Sequence, residues 1–200
     1  AEFDNHEGTA LIRALYQNYG AQVAAITSFG ANAPLLLAQI AEIDQSIPIY
    51  TADTGSYLSP AIKHNRDALT QRLGLENIRI MQVPEEEMAR LEQRQCCGDF
   101  KRAALNEGLI ADGRRIVIAG LNSAEQRDRH GVQKCALSDD GRRVIVNPNA
   151  TDNQEAIDAE LRILGLGDFA GGTRTPTCGP CHAPFCGLWR DGIASGPAGR

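Results

Sequence analysis

The sequence predicts an α/β fold: a mainly parallel, twisted sheet with helices on both faces. Short apolar runs of strand length alternate with segments of helical periodicity along the chain. The first run, Val23–Ile26, lacks the in-out alternation of half-exposed strands, which is typical of a buried parallel strand, whereas Asn77–Val83 alternates. Parallel neighbours need a crossover element, and the strand-then-helix order supplies one.

The predicted strands are short apolar runs, most of them bounded by Gly or polar turn residues. They lie at Val23–Ile26, Ile47–Thr51, Asn77–Val83 and Arg115–Ala119. Val132–Leu137 and Arg142–Val146 flank Asp139-Asp140-Gly141, a sequence typical of a hairpin turn.

The predicted helices have apolar residues at helical spacing. They lie at Thr9–Tyr19, Pro34–Ile43, Ser59–Leu73 and Asp152–Leu164. Asn32 stands where a residue would cap the second helix, and Pro34 is tolerated in its first turn. Glu85-Glu86-Glu87 is interpreted as the acidic first turn of another helix.

Composition excludes several functional classes. The 200 residues include 20 Lys and Arg against 25 Asp and Glu, a net charge of −5, and the cations are scattered. This argues against nucleic acid as the main partner. No apolar run approaches the roughly eighteen residues of a membrane span, and no secretory signal is visible. We therefore expect a cytoplasmic protein without a membrane partner.

All six cysteines lie beyond residue 95: Cys96, Cys97, Cys135, Cys178, Cys181 and Cys186. Such clustering indicates metal or redox chemistry in a reducing compartment. Cys96, Cys97, Cys178 and Cys181 offer four thiolates. An adjacent pair suits a [4Fe-4S] cube, whose separate irons each take one thiolate. A structural zinc site and unpaired core thiols are the alternatives, and Cys135 is expected to be a small core residue.

Five motifs occur in a characteristic order: Thr27-Ser28-Phe29-Gly30-Ala31-Asn32, Asp53-Thr54-Gly55, Cys96-Cys97-Gly98 with Lys101, Asn147-Pro148, and Cys178-Gly179-Pro180-Cys181. The ordered set resembles the assimilatory sulfonucleotide reductases, in particular the iron-sulfur type that acts on adenylyl sulfate. The resemblance runs from Val23 to Cys186. It implies a fold like that of the adenine nucleotide hydrolases and a role in sulfate assimilation and cysteine biosynthesis.

The resemblance also implies a site. The amides of residues 28–32 would cradle phosphate at a helix N-terminus. The implied substrate-binding residues are Ser28, Phe29, Gly30, Ala31, Asn32, Asp53, Thr54, Gly55, Gly120 and Arg127. Lys101 would lie near cluster and substrate and stabilise the sulfate. Residues 1–170 would form the nucleotide-binding domain, and residues 171–200 a segment rich in Cys, Gly and Pro that packs on the cluster.

Cys186 in Phe185-Cys186-Gly187-Leu188-Trp189 resembles the family nucleophile. Its thiolate would attack the sulfur of adenylyl sulfate or phosphoadenylyl sulfate, forming an S-sulfocysteine. A thioredoxin or glutaredoxin would then release sulfite. The sequence leaves the formation of a homo-oligomer open.

The chain departs from the family pattern in its second half. Cys181 and Cys186 are nearly adjacent, whereas the family has a long segment between them, and the arginines after the fourth strand are displaced. Two alternatives therefore stay open: a sulfur transferase of the ATP pyrophosphatase type, and a non-catalytic sensor that binds nucleotide or cluster. The absence of a Gly-Gly-x-Asp-Ser loop counts against the transferase.

Overall fold

The computed structural model describes residues 3, 5–30, 33–90, 97–122, 132–138 and 140–169. The helices in these ranges are α1 (Gly8–Tyr19), α2 (Ala33–Ile43), α3 (Pro60–Leu73), α4 (Glu85–Ala89), α5 (Gly98–Ala111) and α6 (Gln154–Ile163). The strands are β1 (Val23–Ile26), β2 (Ile49–Asp53), β3 (Ile78–Gln82), β4 (Ile116–Ala119), β5 (Cys135–Leu137) and β6 (Val144–Val146).

The strands form one sheet in the order β3-β2-β1-β4-β6-β5. All neighbours are parallel except β5, which pairs antiparallel with β6 through Ala136 and Ile145. The chain therefore builds outward from β1 to β3 and then crosses back to place β4 on the other side of β1. Where the strand order reverses in this way, the loops at the carboxyl ends diverge and leave a crevice in which ligands bind.

Helices cover both faces of the sheet, as predicted. On one face, α1, α2 and α3 pack on β1, β2 and β4 through the largest apolar core, and α6 joins at the outer side of α2. On the other face, Leu105 and Leu109 of α5 lie over β1, β2 and β4. Within the described ranges, none of the helices has the length and hydropathy that a bilayer-spanning segment needs.

The structure differs from the sequence-based expectations at two places, and packing explains both. The sequence pattern does not predict α5, because its buried face includes Lys101 and Gly108 and so lacks a continuous apolar stripe. Gly108 permits close packing: a Cβ there would lie 2.7 Å from the sulfur of Met81. Cys135 is exposed, so its prediction as a core residue is wrong. It lies on the edge strand β5, whose outer side no described strand covers.

A buried amide pair joins α2 to the loop after β6. Gln39 Nε2 donates to Asn149 Oδ1 at 3.1 Å, and Asn149 Nδ2 donates to Gln39 Oε1 at 2.9 Å. Both side chains are at least 95% buried, so each satisfies groups that water cannot reach. The pair fixes α2, whose N-terminus follows the first motif, relative to the end of β6.

We expect Gln39→Leu to lower the free energy of unfolding by about 1–3 kcal/mol, because it leaves the Asn149 amide buried and unpaired. The double variant Gln39→Leu/Asn149→Leu should lose less than the sum of the single variants. Urea unfolding measures each value. Gln17→Leu, at an exposed position of α1, is the control. Equal losses for Gln39→Leu and the control would contradict this assignment.

Candidate functional site

Two of the sequence motifs and the loop after β4 meet at one edge of the sheet. Parallel neighbours β2, β1 and β4 end at Asp53, Ile26 and Ala119, so the loops that follow them leave the sheet on the same side. The loop after β1 begins at Thr27, the loop after β2 at Thr54 and the loop after β4 at Gly120. The crevice expected from the strand order therefore has the first motif and the Asp-Thr-Gly motif at its border.

The turn between β1 and α2 has an uncommon backbone. Thr27 continues the sheet by donating its N–H to the carbonyl of Tyr50 at 3.0 Å, and its hydroxyl accepts from the amide of Phe29 at 3.1 Å. Phe29 has φ = 53°, in the left-handed region that a bulky residue rarely enters. Such strain persists only where the surroundings enforce it, and it is concentrated at functional sites.

The ring of Phe29 provides that enforcement. It is fully buried in the core between the sheet and the helices α1–α3. A ligand at this turn can therefore meet only the backbone of Phe29, together with Ser28 and Gly30, which are half-buried. The carbonyl of Gly30 accepts from the amide of Ala33, which opens α2 at this edge. A helix N-terminus favours an anion, as the predicted phosphate cradle requires.

Hydrogen bonds of Asp53 hold the Asp53-Thr54-Gly55 turn in place. Asp53 Oδ1 accepts from the amide of Gly55 at 2.8 Å, and Oδ2 accepts from Arg66 of α3 at 3.0 Å. Burial acts to lower the pKa of Arg66, but hydrogen bonds to Asp67 and Asp53 outweigh it, so the pKa rises and the guanidinium is charged. Asp53 therefore anchors the turn.

Thr54 is left with an unused group. Its side chain is 1% exposed, and its hydroxyl has no hydrogen-bond partner among the described residues. A buried polar atom without a partner is uncommon in folded proteins and calls for an explanation at that position.

Lys101 and Cys97 lie one helical turn apart at the N-terminus of α5. The amide of Lys101 donates to the carbonyl of Cys97 at 3.1 Å. Cys97 is fully buried beside Val83 and Met88, near the carboxyl ends of β2 and β3. Lys101 is 4% exposed, so it is not a solvated helix lysine. A helix N-terminus stabilises a thiolate, which is the form of cysteine that binds a metal.

Asn147, from the Asn147-Pro148 motif, also lies at this edge. The sequence predicts no individual role for it. Its side chain is fully buried, and Nδ2 donates to the carbonyl of Gln133 at 2.9 Å. Its amide donates to the carbonyl of Lys134 at 2.8 Å. At the other end of the same connection, Asn122 is buried beside Gly120. Asn147 thus holds Gln133 and Lys134 at the carboxyl edge.

Several predicted site residues lie outside the described residues: Ala31, Asn32, Cys96, Arg127, Cys178, Cys181 and Cys186. Their assignments stay predictions. Within the part of the chain that the structure describes, no group of three or more His, Cys, Asp or Glu residues could hold a metal ion. Three of the four predicted ligands, Cys96, Cys178 and Cys181, lie outside it.

We expect Phe29→Gly to be more stable than Phe29→Ala by about 1 kcal/mol, because a non-glycine residue is strained at this φ. Both variants lose the buried ring, at a cost of about 3–5 kcal/mol. Urea unfolding measures the difference. At exposed Ala10 in α1, glycine should instead be the less stable residue by about 1 kcal/mol. The same order at both positions would refute the strain at Phe29.

Comparison with known proteins finds relatives by sequence and by fold. The chain is 39% identical over 71 residues to an adenosine 5'-phosphosulfate reductase of Mesorhizobium japonicum, a match that covers 36% of this chain and 28% of that protein. It is 38% identical over 66 residues to the enzyme of the same name from Chelativorans sp., covering 33% and 26%. The chain thus matches only about a quarter of the length of these relatives. No family model matches.

Two solved structures share the fold. The phosphoadenylyl-sulfate reductase of Candida auris, in a phosphate complex, superposes with a TM-score of 0.63 at 12% identity, covering 94% of this chain and 91% of that one. The NH3-dependent NAD synthetase of Campylobacter jejuni superposes with a TM-score of 0.59 at 15% identity, covering 82% and 75%. These structures confirm the α/β fold. Together with the sequence matches, they confirm the resemblance to sulfonucleotide reductases.

Proposed function

We propose that this chain, which resembles the sulfonucleotide reductases in sequence and fold, reduces adenylyl sulfate to sulfite and AMP with electrons from a dithiol protein. The observation that carries the proposal is the meeting of the β1–α2 turn and the Asp53-Thr54-Gly55 turn at one edge of the sheet, with Cys97 and buried Lys101 near the ends of β2 and β3. A nucleotide, a cation and a thiolate ligand are what this reaction requires at one place.

The nucleotide half of the substrate is bound at the carboxyl edge. The N-terminus of α2 offers amides and the positive end of the helix dipole to its phosphate. The turn at Asp53 borders the same crevice, and its rigid hydrogen bonding suits recognition of an uncharged part of the nucleotide. The buried ring of Phe29 keeps the phosphate-binding turn in one conformation.

Lys101 acts on the sulfate. Its ammonium is desolvated at 4% exposure, and a desolvated cation stabilises a nearby anion more strongly than a hydrated one does. In the reaction, negative charge develops on the oxygen that bridges sulfur and phosphorus as the S–O bond breaks. A fixed cation near that position lowers the barrier without reorganisation.

Cys186 supplies the nucleophile. Its thiolate attacks the sulfate sulfur, an S–S bond forms, and AMP leaves with the electron pair of the broken S–O bond. A thiolate of thioredoxin or glutaredoxin then attacks the Cys186 sulfur and sulfite departs. The second thiol of that protein resolves the mixed disulfide. The dithiol is oxidised to a disulfide, and sulfur is reduced by two electrons.

We assign Cys96, Cys97, Cys178 and Cys181 as ligands of a [4Fe-4S] cluster. The burial of Cys97 at the start of α5, beside Lys101, supports this assignment. When bound, the cluster would supply a fixed charge near the sulfate. In turn, the Lys101 ammonium would tune its electrostatics. Structural zinc at the same cysteines is the alternative.

We expect anaerobically purified protein to contain roughly four irons and four sulfides per chain, with a brown charge-transfer band. Cys97→Ser should lose most of this iron, because a buried thiolate is removed. Cys135→Ser is the matched control, since Cys135 is exposed on β5, and it should retain the metal. Iron and sulfide analysis gives the answer. Zinc in place of iron, or equal iron in both variants, would refute the cluster assignment.

We expect adenylyl sulfate plus reduced thioredoxin to yield sulfite, and Cys186→Ser to abolish sulfite release while iron content is unchanged. The reason is that serine cannot form the S-sulfo intermediate. Cys135→Ser should keep the wild-type rate. Sulfite at the wild-type rate from Cys186→Ser would remove this residue from the mechanism. ATP-dependent release of pyrophosphate would favour a sulfur transferase, and AMP binding without turnover a sensor.

A further inference from the structure

Two cationic side chains of α3 bind the Asp53-Thr54-Gly55 turn. Arg66 Nη1 lies 3.0 Å from Asp53 Oδ2, and Lys63 Nζ donates to the carbonyl of Gly55 at 2.9 Å. Lys63 and Arg66 are three residues apart, so they lie on the same face of the helix. One cation therefore fixes the first residue of the turn and the other fixes the last.

The turn has one unfavourable feature. The hydroxyl of Thr54 is buried with no partner among the described residues, whereas Gly55, at φ = 61°, adopts a conformation that glycine tolerates. Burying a polar group without a hydrogen bond costs free energy. Both oxygens of Asp53 are already used, one by Gly55 and one by Arg66. Asp53 thus shapes the turn through both of its carboxylate oxygens.

The contacts at the two cations differ in charge. The Arg66–Asp53 pair is well shielded from water, with side-chain exposures of 17% and 11%, so it is stronger than an ordinary surface pair. Lys63 is half-buried and donates to an uncharged carbonyl, so this contact does not neutralise its positive charge. The contact lies at the carboxyl edge of the sheet. Together the two contacts fix the geometry of the turn.

The geometry assigns Arg66 and Lys63 as positioning residues, which hold the Asp53-Thr54-Gly55 turn in the conformation that binds the nucleotide of the substrate. This inference rests on the proposed function. Neither residue is assigned a contact with the substrate. Their effect is transmitted through the Asp53 carboxylate and the Gly55 carbonyl, the two groups they bind.

The same helix offers a matched control. Arg72 also pairs with an aspartate, Asp168, at 3.4 Å, and its guanidinium lies over the ring of Phe169. This pair lies near the C-terminal end of α3, away from the turn, and fastens the chain after α6. Removing Arg72 therefore removes an arginine and an ion pair from α3 without touching the turn.

The experiment measures the Kd of AMP by titration calorimetry and the KM and kcat of sulfite release for the wild-type chain and four variants. These are Arg66→Met, Arg66→Lys, Lys63→Met and Arg72→Met. Arg66→Met should raise the Kd of AMP about tenfold or more, the loss expected for one charge-assisted contact. Arg66→Lys should recover part of the loss, and Arg72→Met should bind as wild type.

The split between KM and kcat separates positioning from a general loss of structure. A turn that holds the nucleotide equally in substrate and transition state should raise KM and leave kcat nearly unchanged. Thermal melting of each variant is measured alongside. If Arg66→Met does not fold, Lys63→Met decides, because it leaves the Arg66–Asp53 pair intact. A several-fold rise in its Kd supports the inference.

Three results overturn the inference in distinguishable ways. If the wild-type chain binds AMP and the Arg66 and Lys63 variants bind it as tightly, the positioning role is wrong and the proposed function stands. If AMP affinity falls only in proportion to melting temperature, and equally in Arg72→Met, the contacts are merely structural. If the wild-type chain binds neither AMP nor adenylyl sulfate, the proposed function fails and the inference fails with it.

Discussion

The pairing of β1 with β2 on one side and β4 on the other is the constraint on which the rest of the structure depends. Because all three strands run parallel, their loops leave the sheet at one edge, although the motifs they carry are far apart in the chain. The strand order reverses at β1, so the loops diverge and a crevice opens between them. The candidate site is thus a consequence of topology. Individual residues decide only what the crevice can hold.

Much of this arrangement could be predicted from sequence, because β1 and β4 are buried along their whole length and therefore appear as uninterrupted apolar runs. The hairpin of β5 and β6 could be predicted from the Asp-Asp-Gly turn, which lies between two strand-like segments. Helix α5 could not, since Gly108 and Lys101 occupy its inner face, where periodicity methods look for apolar residues. Its packing partner Met81 lies in a separate element, and local patterns contain no information about such contacts.

The positions of the turns after β1 and β2 were predictable, and the contacts of their residues were less so. Sequence motifs indicated the turns after β1 and β2, because small and polar residues after a buried strand mark a ligand-binding edge. They could not show that Asp53 pairs with Arg66, nor that the buried hydroxyl of Thr54 has no partner among the described residues. Both facts depend on how α3 packs over the turn. Exposure of Cys135 and burial of Lys101 likewise follow from tertiary position alone.

The ring of Phe29 links the interior of the protein to the edge of the sheet where the candidate site lies. It belongs to the same core as α1 and α2, while its own backbone forms the turn at the end of β1. The amides of that turn are therefore oriented before any anion arrives, and binding forfeits little conformational entropy. Affinity at such an edge depends partly on residues that no ligand contacts. Substitutions in the helical layer would alter ligand recognition by loosening the turn, although the substituted residues do not contact the ligand. Selection for ligand binding would therefore also act on the core.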